Sequence, residues 1–256
     1  MNYFDLTGLG SETYGPAMAS LIDYNEPAIL IVSTVDPICI ITNEYSGDLA
    51  ALAEKEKTEY IRCYLSSCQT SWYQDQNMPR IVLYVMNDSY RNFVGKWEEW
   101  NITALESLGI KGCYKDKNEY FFKDKAIGGQ SSVLRSRDRF MVSSQLYLLI
   151  DPIATEKFSD PSFFVKDRTM GINEMGFNIT EAQYHQAFLD TFEGIFEEAV
   201  VQQKNADLLI KMNAYVPLFK DENWLKKRKL ESSIIEEEPI IEEPPIREEP
   251  IIRTIR

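Results

Sequence analysis

The chain has 256 residues, 44% of them hydrophobic and 12% aromatic, which is enough for one sizeable domain or two small ones with a real core. A formal net charge of −13 sets the molecule as a whole against nucleic acid and anionic membrane surfaces, so neither is expected as a partner. No apolar run is long enough to cross a bilayer, and Met1 to Gly15 has neither the basic nor the apolar region of a secretory signal; the expectation is a cytoplasmic protein with reduced thiols.

Residues 12–25 read as a short amphipathic helix or a loop, with Met18, Leu21 and Ile22 on one face. Ala28 to Ser33 and Ile38 to Thr42 are short runs of branched residues around Asp36-Pro37, the pattern of two adjacent buried strands. Asp48 to Lys57 reads as a helix and Tyr60 to Leu65 as a third strand. Arg80 to Met86, RIVLYVM, is the clearest strand of all. Asn87-Asp88-Ser89 then supplies helix caps, and the spacing predicts a helix from about Tyr90 to Leu108 that buries Phe93, Trp97, Trp100 and Leu105 and stops at Gly109.

The stretch Asn118 to Asp151 carries the most chemistry. A strand, Tyr120 to Phe122, leads into the basic turn Lys123-Asp124-Lys125, then Ala126-Ile127-Gly128-Gly129, a polar segment with Arg135, Arg137 and Arg139, and a strand from Gln145 to Ile150. A lysine beside glycine backbone can set one point charge and several N–H groups against an anionic ligand; an exposed hairpin turn is the plainer interpretation. Thr180 and Gln183 have capping-box spacing, and Tyr184, Ala187, Phe188, Phe192, Ile195, Phe196 and Ala199 follow helical periodicity. Strands interspersed with helices in this way predict an α+β domain over residues 1–223.

The composition changes near Trp224. A basic cluster, Lys226-Lys227-Arg228-Lys229, precedes SIIEEEPIIEEPPIREEPIIRTIR, whose prolines oppose helix and whose composition cannot bury a core, so 224–256 reads as a basic linker and an extended Ile/Glu/Pro-rich tail. It is either a solvated acidic tail or a docking segment for a protein partner, with 231–256 as the contact. The four cysteines, Cys39, Cys63, Cys68 and Cys113, form no CxxC pair, and the single histidine, His185, offers them no zinc partner.

With the elements in order, residues from about Tyr14 to Glu198 resemble the lipoate–protein ligase and octanoyltransferase family, which has the biotin/lipoate ligase fold. The order of helices and strands up to the lysine hairpin is similar. The local match is Asn118-Glu119 before a strand, Lys125-Ala126-Ile127-Gly128, and a strand ending near Asp151; Phe164-Val165-Lys166-Asp167-Arg168 before the Thr180 helix resembles the family's downstream segment. A second register is open, in which Ile127-x-Gly129 is the matching pair and Ala126 takes the lysine's place. The resemblance implies a mixed sheet with packed helices and an acyl-adenylate site. Lys125 would be the catalytic cation, and Arg62, Ser66, Ser67, Asn118, Gly128 and Gly129 would bind the acyl-adenylate. It also implies ATP with Mg²⁺, lipoate or octanoate as acyl source, and a lipoyl carrier domain as acceptor.

The family's glycine-rich loop is replaced here by Arg62-Cys63-Tyr64-Leu65-Ser66-Ser67-Cys68-Gln69, and its His-Gly by Ser143-Ser144. Cys68 and Cys113 are considered as acyl carriers, since some octanoyltransferases use a cysteine, and ordinary buried thiols are the simpler interpretation. Two functions therefore stand side by side: a divergent lipoate or octanoate ligase or acyltransferase, or a non-catalytic assembly protein, such as a component of a virion or large complex, that reuses the fold, docks through its tail and needs no cofactor.

Overall fold

RIVLYVM forms strand β6 (Arg80–Met86), which lies in the middle of a sheet because every second side chain is apolar on each of its two faces. The computed structural model describes residues 1–24, 26–41, 46–62, 71–136, 138–161, 164–165 and 167–221. The large sheet has eight strands. They are β1 (Asn2–Leu9), β2 (Ala28–Thr34), β6, β7 (Tyr114–Asp116), β8 (Glu119–Phe122), β9 (Lys125–Ser136), β10 (Arg139–Leu146) and β11 (Val201–Gln202), in the order β11-β1-β2-β6-β10-β9-β8-β7. A second sheet of three places β3 (Ile38–Ile41) between a parallel β4 (Glu59–Arg62) and an antiparallel β5 (Ser71–Gln74). The helices are α1 (Ser11–Tyr24), α2 (Gly47–Glu56), α3 (Tyr90–Ser107), α4 (Pro152–Phe158), α5 (Glu181–Phe196) and α6 (Ala206–Phe219). The class is α+β, as the order of elements predicts.

Each face of the large sheet has its own core. Ile81, Leu83, Phe140 and Val142 pack under α3 and α5, where Trp97, Trp100, Phe188 and Phe192 interlock edge to face. Leu30, Val32, Val82 and Met141 face the other way, against α1, α6 and the small sheet through Met18, Leu21, Met212, Ile40 and Trp72. On that side α1 and α6 approach so closely that a Cβ on Gly15 would lie 2.6 Å from the Phe219 ring. Ser89 caps α3 and the Thr180–Gln183 capping box starts α5, both where the sequence sets them.

Several expectations are corrected. Ala28 to Ser33 and Ile38 to Thr42 are not neighbours: β2 pairs with β1 and β6, whereas β3 pairs with β4 and β5 in the other sheet. Ala28 to Ser33 and Ile38 to Ile40 are buried, and burial alone does not say against which sheet. The glycine pair belongs to a twelve-residue strand, β9, and the turn before it is only Lys123-Asp124, both at positive φ (47° and 62°) as a tight two-residue hairpin requires. The following strand spans Arg139–Leu146 instead of Gln145 to Ile150, because Tyr147 and Leu148 turn away to bond Ile127, Asn77 and the Ile172 segment. β1, β5, β7, β11, α4 and α6 were not anticipated. No helix among the described residues is long and apolar enough to cross a membrane. The tail from residue 224, with its proposed contact at 231–256, lies outside the described residues, as do Ser66, Ser67, Cys63 and Cys68.

Candidate functional site

Between the two sheets the apolar packing gives way to polar groups. Arg80 and Gln145 are opposite one another in the β6–β10 ladder, so their side chains leave the same face, and the Arg80 Nη2 donates to Gln145 Oε1. The guanidinium carbon stands 5.6 Å from the ring centre of Trp72 on β5. Gln74, fully buried, donates to the Tyr14 hydroxyl at 2.7 Å and to the Met78 carbonyl at 3.3 Å. Ser131 and Ser143, cross-strand partners on β9 and β10, share a hydrogen bond of 2.7 Å.

Trp72, Met78, Gln145, Tyr147, Phe164 and Thr169 surround a cavity of about 10 Å³, room for roughly one water. Burial pushes the Tyr147 phenol up, and burial followed by the charges of Asp75 and Asp151 does the same to Tyr73, so both hydroxyls stay protonated donors at neutral pH. Burial also raises the Asp75 carboxyl. Cys39 is pushed up to about 12 by burial, and Cys113 to about 11 by burial and then Glu106, which leaves both as thiols at neutral pH. Among the described residues no group of three or more His, Cys, Asp or Glu is placed to hold a metal.

None of the described residues singled out in the sequence as site residues lines this cavity. Lys125 opens β9 opposite Phe122, and its Nζ donates to the Asp167 carbonyl at 2.6 Å. Phe122 belongs to the core under α3 and α5, so Lys125 leaves the strand on the helix side. Ala126, opposite Phe121, takes the other face and is wholly buried; its N–H donates to Arg168 O at 2.8 Å, and its carbonyl accepts from Met170 N at 3.0 Å. Ile127 is the extra residue of a bulge, since Phe121 pairs with Ala126 and Tyr120 with Gly128.

Gly128 passes so near β10 that a Cβ would lie 2.3 Å from the Gln145 carbonyl oxygen. Gly129 is opposite Gln145, and a Cβ there would lie 3.4 Å from Asn118 O and 3.5 Å from the Tyr147 hydroxyl. Asn118 is exposed, and its carbonyl accepts from Gln130 N at 2.8 Å. Asn118, Gly128 and Gly129 are thus brought together beside Gln145. Arg62 ends β4, paired with Ile41, whose other partner is Ser71. The sequence pattern does not mark Arg80, Gln145, Gln74 and Tyr14 as site residues; the signal available is an arginine opening the otherwise apolar β6 and a glutamine near the end of β10.

No protein-family profile matches the sequence, and no curated protein matches it significantly. Solved structures do match the fold. A bipartite lipoate protein ligase of Thermoplasma acidophilum, studied with its E2 lipoyl domain, superposes with a TM-score of 0.71 at 12% identity over 87% of this chain and 94% of that one. Lipoate-protein ligase A bound with ATP gives a TM-score of 0.68 at 14% identity over 88% and 98%. LipL1 of P. falciparum in complex with lipoate gives 0.71 at 12% identity over 90% of this chain and 74% of that one. The chain has the biotin/lipoate ligase fold, as its resemblance implied.

Proposed function

We propose that this chain is a divergent lipoate– or octanoate–protein ligase that holds an acyl-adenylate between its two sheets and passes the acyl group to a lysine of a lipoyl carrier domain, in the cytoplasm. What carries the reading is the likeness in fold, over 87–90% of the chain, to proteins solved with ATP, with lipoate and with a lipoyl domain. In the first step a carboxylate oxygen attacks the α-phosphate of ATP and pyrophosphate leaves. In the second the carrier lysine's amine attacks the acyl carbonyl, the bond from that carbon to the phosphate oxygen breaks, AMP leaves as an anion, and the amine gives up a proton. Mg²⁺ enters with the nucleotide phosphates, its usual mode of binding.

Within this reading Lys125 releases the Asp167 carbonyl and turns its ammonium to the charge that develops on the leaving phosphate. Asn118, Gly128 and Gly129 form the wall beside the acyl-adenylate, and Arg62, at the end of β4, with Ser66 and Ser67 after it in the sequence, completes the set of binding residues. Calorimetry of the full chain with octanoyl-sulfamoyl-adenosine tests it directly; a binding heat supports the reading, and its absence removes it. A second reading, a non-catalytic assembly protein docking through 231–256, is favoured by one observation: the residue that the start of β9 turns away from the helices, Ala126, carries no charge. Deletion of 231–256 should then release the protein from its complex, and retention of the truncated chain would rule the tail out as anchor.

A further inference from the structure

Arg80 is 6% exposed, yet it makes no ion pair among the described residues. Among the described residues its one hydrogen bond goes to the neutral Gln145, its guanidinium carbon lies over the Trp72 ring, and its Nε finds no partner. A buried charge without a counter-charge is costly to fold, and replacing such a group by an apolar side chain commonly stabilises a protein. Gln145 and Trp72 are both walls of the cavity, so the guanidinium is in contact with two of its walls. The other walls include Met78, Tyr147, Ile150 and Phe164, which are apolar or aromatic. The β9 residue opposite Gln145 is Gly129, and the residue at the start of β9 on the face away from the helices is Ala126; neither carries a charge, and the cation beside Gln145 comes from β6.

We infer that Arg80 is the receptor for a singly charged oxyanion at the head of an acyl ligand, an inference that rests on the ligase reading for the acyl part alone. The planar guanidinium, with Nε–H and Nη2–H on one edge, matches the two oxygens of a carboxylate or of a phosphodiester. Two sources share that chemistry: a free fatty acid, through its carboxylate, and an acyl-adenylate, through its phosphate. The acyl chain enters by displacing wall side chains, and Met78, unbranched and flexible, is the easiest to move. Arg80 thereby distinguishes a charged acyl head from a neutral one.

The test uses the full chain and four probes: octanoate, methyl octanoate, octanoyl-sulfamoyl-adenosine and AMP, read by calorimetry and thermal shift. Octanoate should bind and the neutral ester should not, and Arg80→Met should raise the melting temperature of the unliganded protein while weakening oxyanion binding about tenfold or more, the usual worth of a charge-assisted contact. Equal binding of octanoate and its ester, or unchanged affinity in Arg80→Met, overturns the inference. If the adenylate analogue binds wild type and variant alike, Arg80 is not the receptor while the ligase reading stands. If octanoate binds through Arg80 but the analogue does not bind, the inference stands and the ligase reading falls. Binding of AMP alone with the same affinity as the acylated analogue overturns the acyl-head assignment, and silence from every probe overturns both. Should Arg80→Met fail to fold, the comparison of octanoate with its ester on the wild type decides.

Discussion

The indole Nε1 of Trp100 donates to the Phe188 carbonyl at 2.8 Å, tying α3 to α5 across the helix side of the large sheet. Trp100 is wholly buried and touches Phe188, Phe192 and Phe196 edge to face. Trp100→Ala should therefore destabilise the fold by about 3–5 kcal/mol, and Trp100→Phe by clearly less, because most of the ring contacts survive while the hydrogen bond and the volume of the five-membered ring are lost. Urea unfolding checks this: the midpoint should fall while the slope stays constant.

Gly128 and Gly129 are adjacent in β9 but face different constraints. A Cβ on Gly128 meets backbone, the Gln145 carbonyl oxygen at 2.3 Å, which cannot move without parting β9 from β10. A Cβ on Gly129 meets Asn118 O at 3.4 Å and the Tyr147 hydroxyl at 3.5 Å, ordinary contact distances. Gly128→Ala should cost about 1–3 kcal/mol and Gly129→Ala under about 1 kcal/mol, measured side by side by thermal unfolding. Because Gln145 holds Arg80, Gly128→Ala should also weaken whatever Arg80 binds.

His185 should set part of the acid sensitivity. It is 5% exposed on α5, and burial lowers its pKa from the ordinary 6.5 to about 4, with Asp5 opposing slightly. Between those values the unfolded chain binds a proton that the folded chain does not, so stability is lost as pH falls from 6.5 toward 4. The full difference corresponds to about 3 kcal/mol. Glu181 Oε1, 3.9 Å from Nδ1, is the nearest anionic group in the described structure. So that the contributions of other groups cancel, the quantity to measure is the stability of wild type minus that of His185→Gln. That difference should become less favourable to wild type by about 3 kcal/mol between pH 7 and 4, and a flat difference would mean His185 takes up its proton without unfolding.

The parts of the fold legible in sequence were those whose pattern is self-contained. β6 is a run of branched and aromatic residues, α3 carries a capping serine and a tryptophan stripe, and α5 has its capping box; β6, α3 and the start of α5 lie within a residue of the pattern, while α5 ends at Phe196, short of Ala199. β1 has a weak sequence pattern because only Phe4 and Leu6 are buried and its outer neighbour, β11, is two residues long. The segment from Ala126 to Ser136 was broken up because its glycines and serines have low strand propensity, yet Gly128 is required by the closeness of β10. The Arg80–Gln145 pair was invisible for a different reason. Its partners are 65 residues apart, and only the antiparallel register of β6 and β10 brings them to one face.

Lys125 gives the sharpest test of catalysis, because its geometry supports two outcomes that differ in kind. Its ammonium is held by the Asp167 carbonyl at 2.6 Å and leaves β9 on the side opposite Ala126. To act on a leaving phosphate it must let go of that carbonyl and pass the strand edge beside residues 167–170. Under the ligase reading Lys125→Ala should lower acylation of a lipoyl domain, followed by its mass increase with ATP and octanoate, about 10²–10³-fold, the usual worth of one group that stabilises developing charge. Stability should change by only about 1 kcal/mol, since one partly exposed hydrogen bond is lost. Acylation at the wild-type rate, with the same small loss of stability, would leave Lys125 as a fastener of the Asp167 segment and pass the cationic role on the cavity side to Arg80.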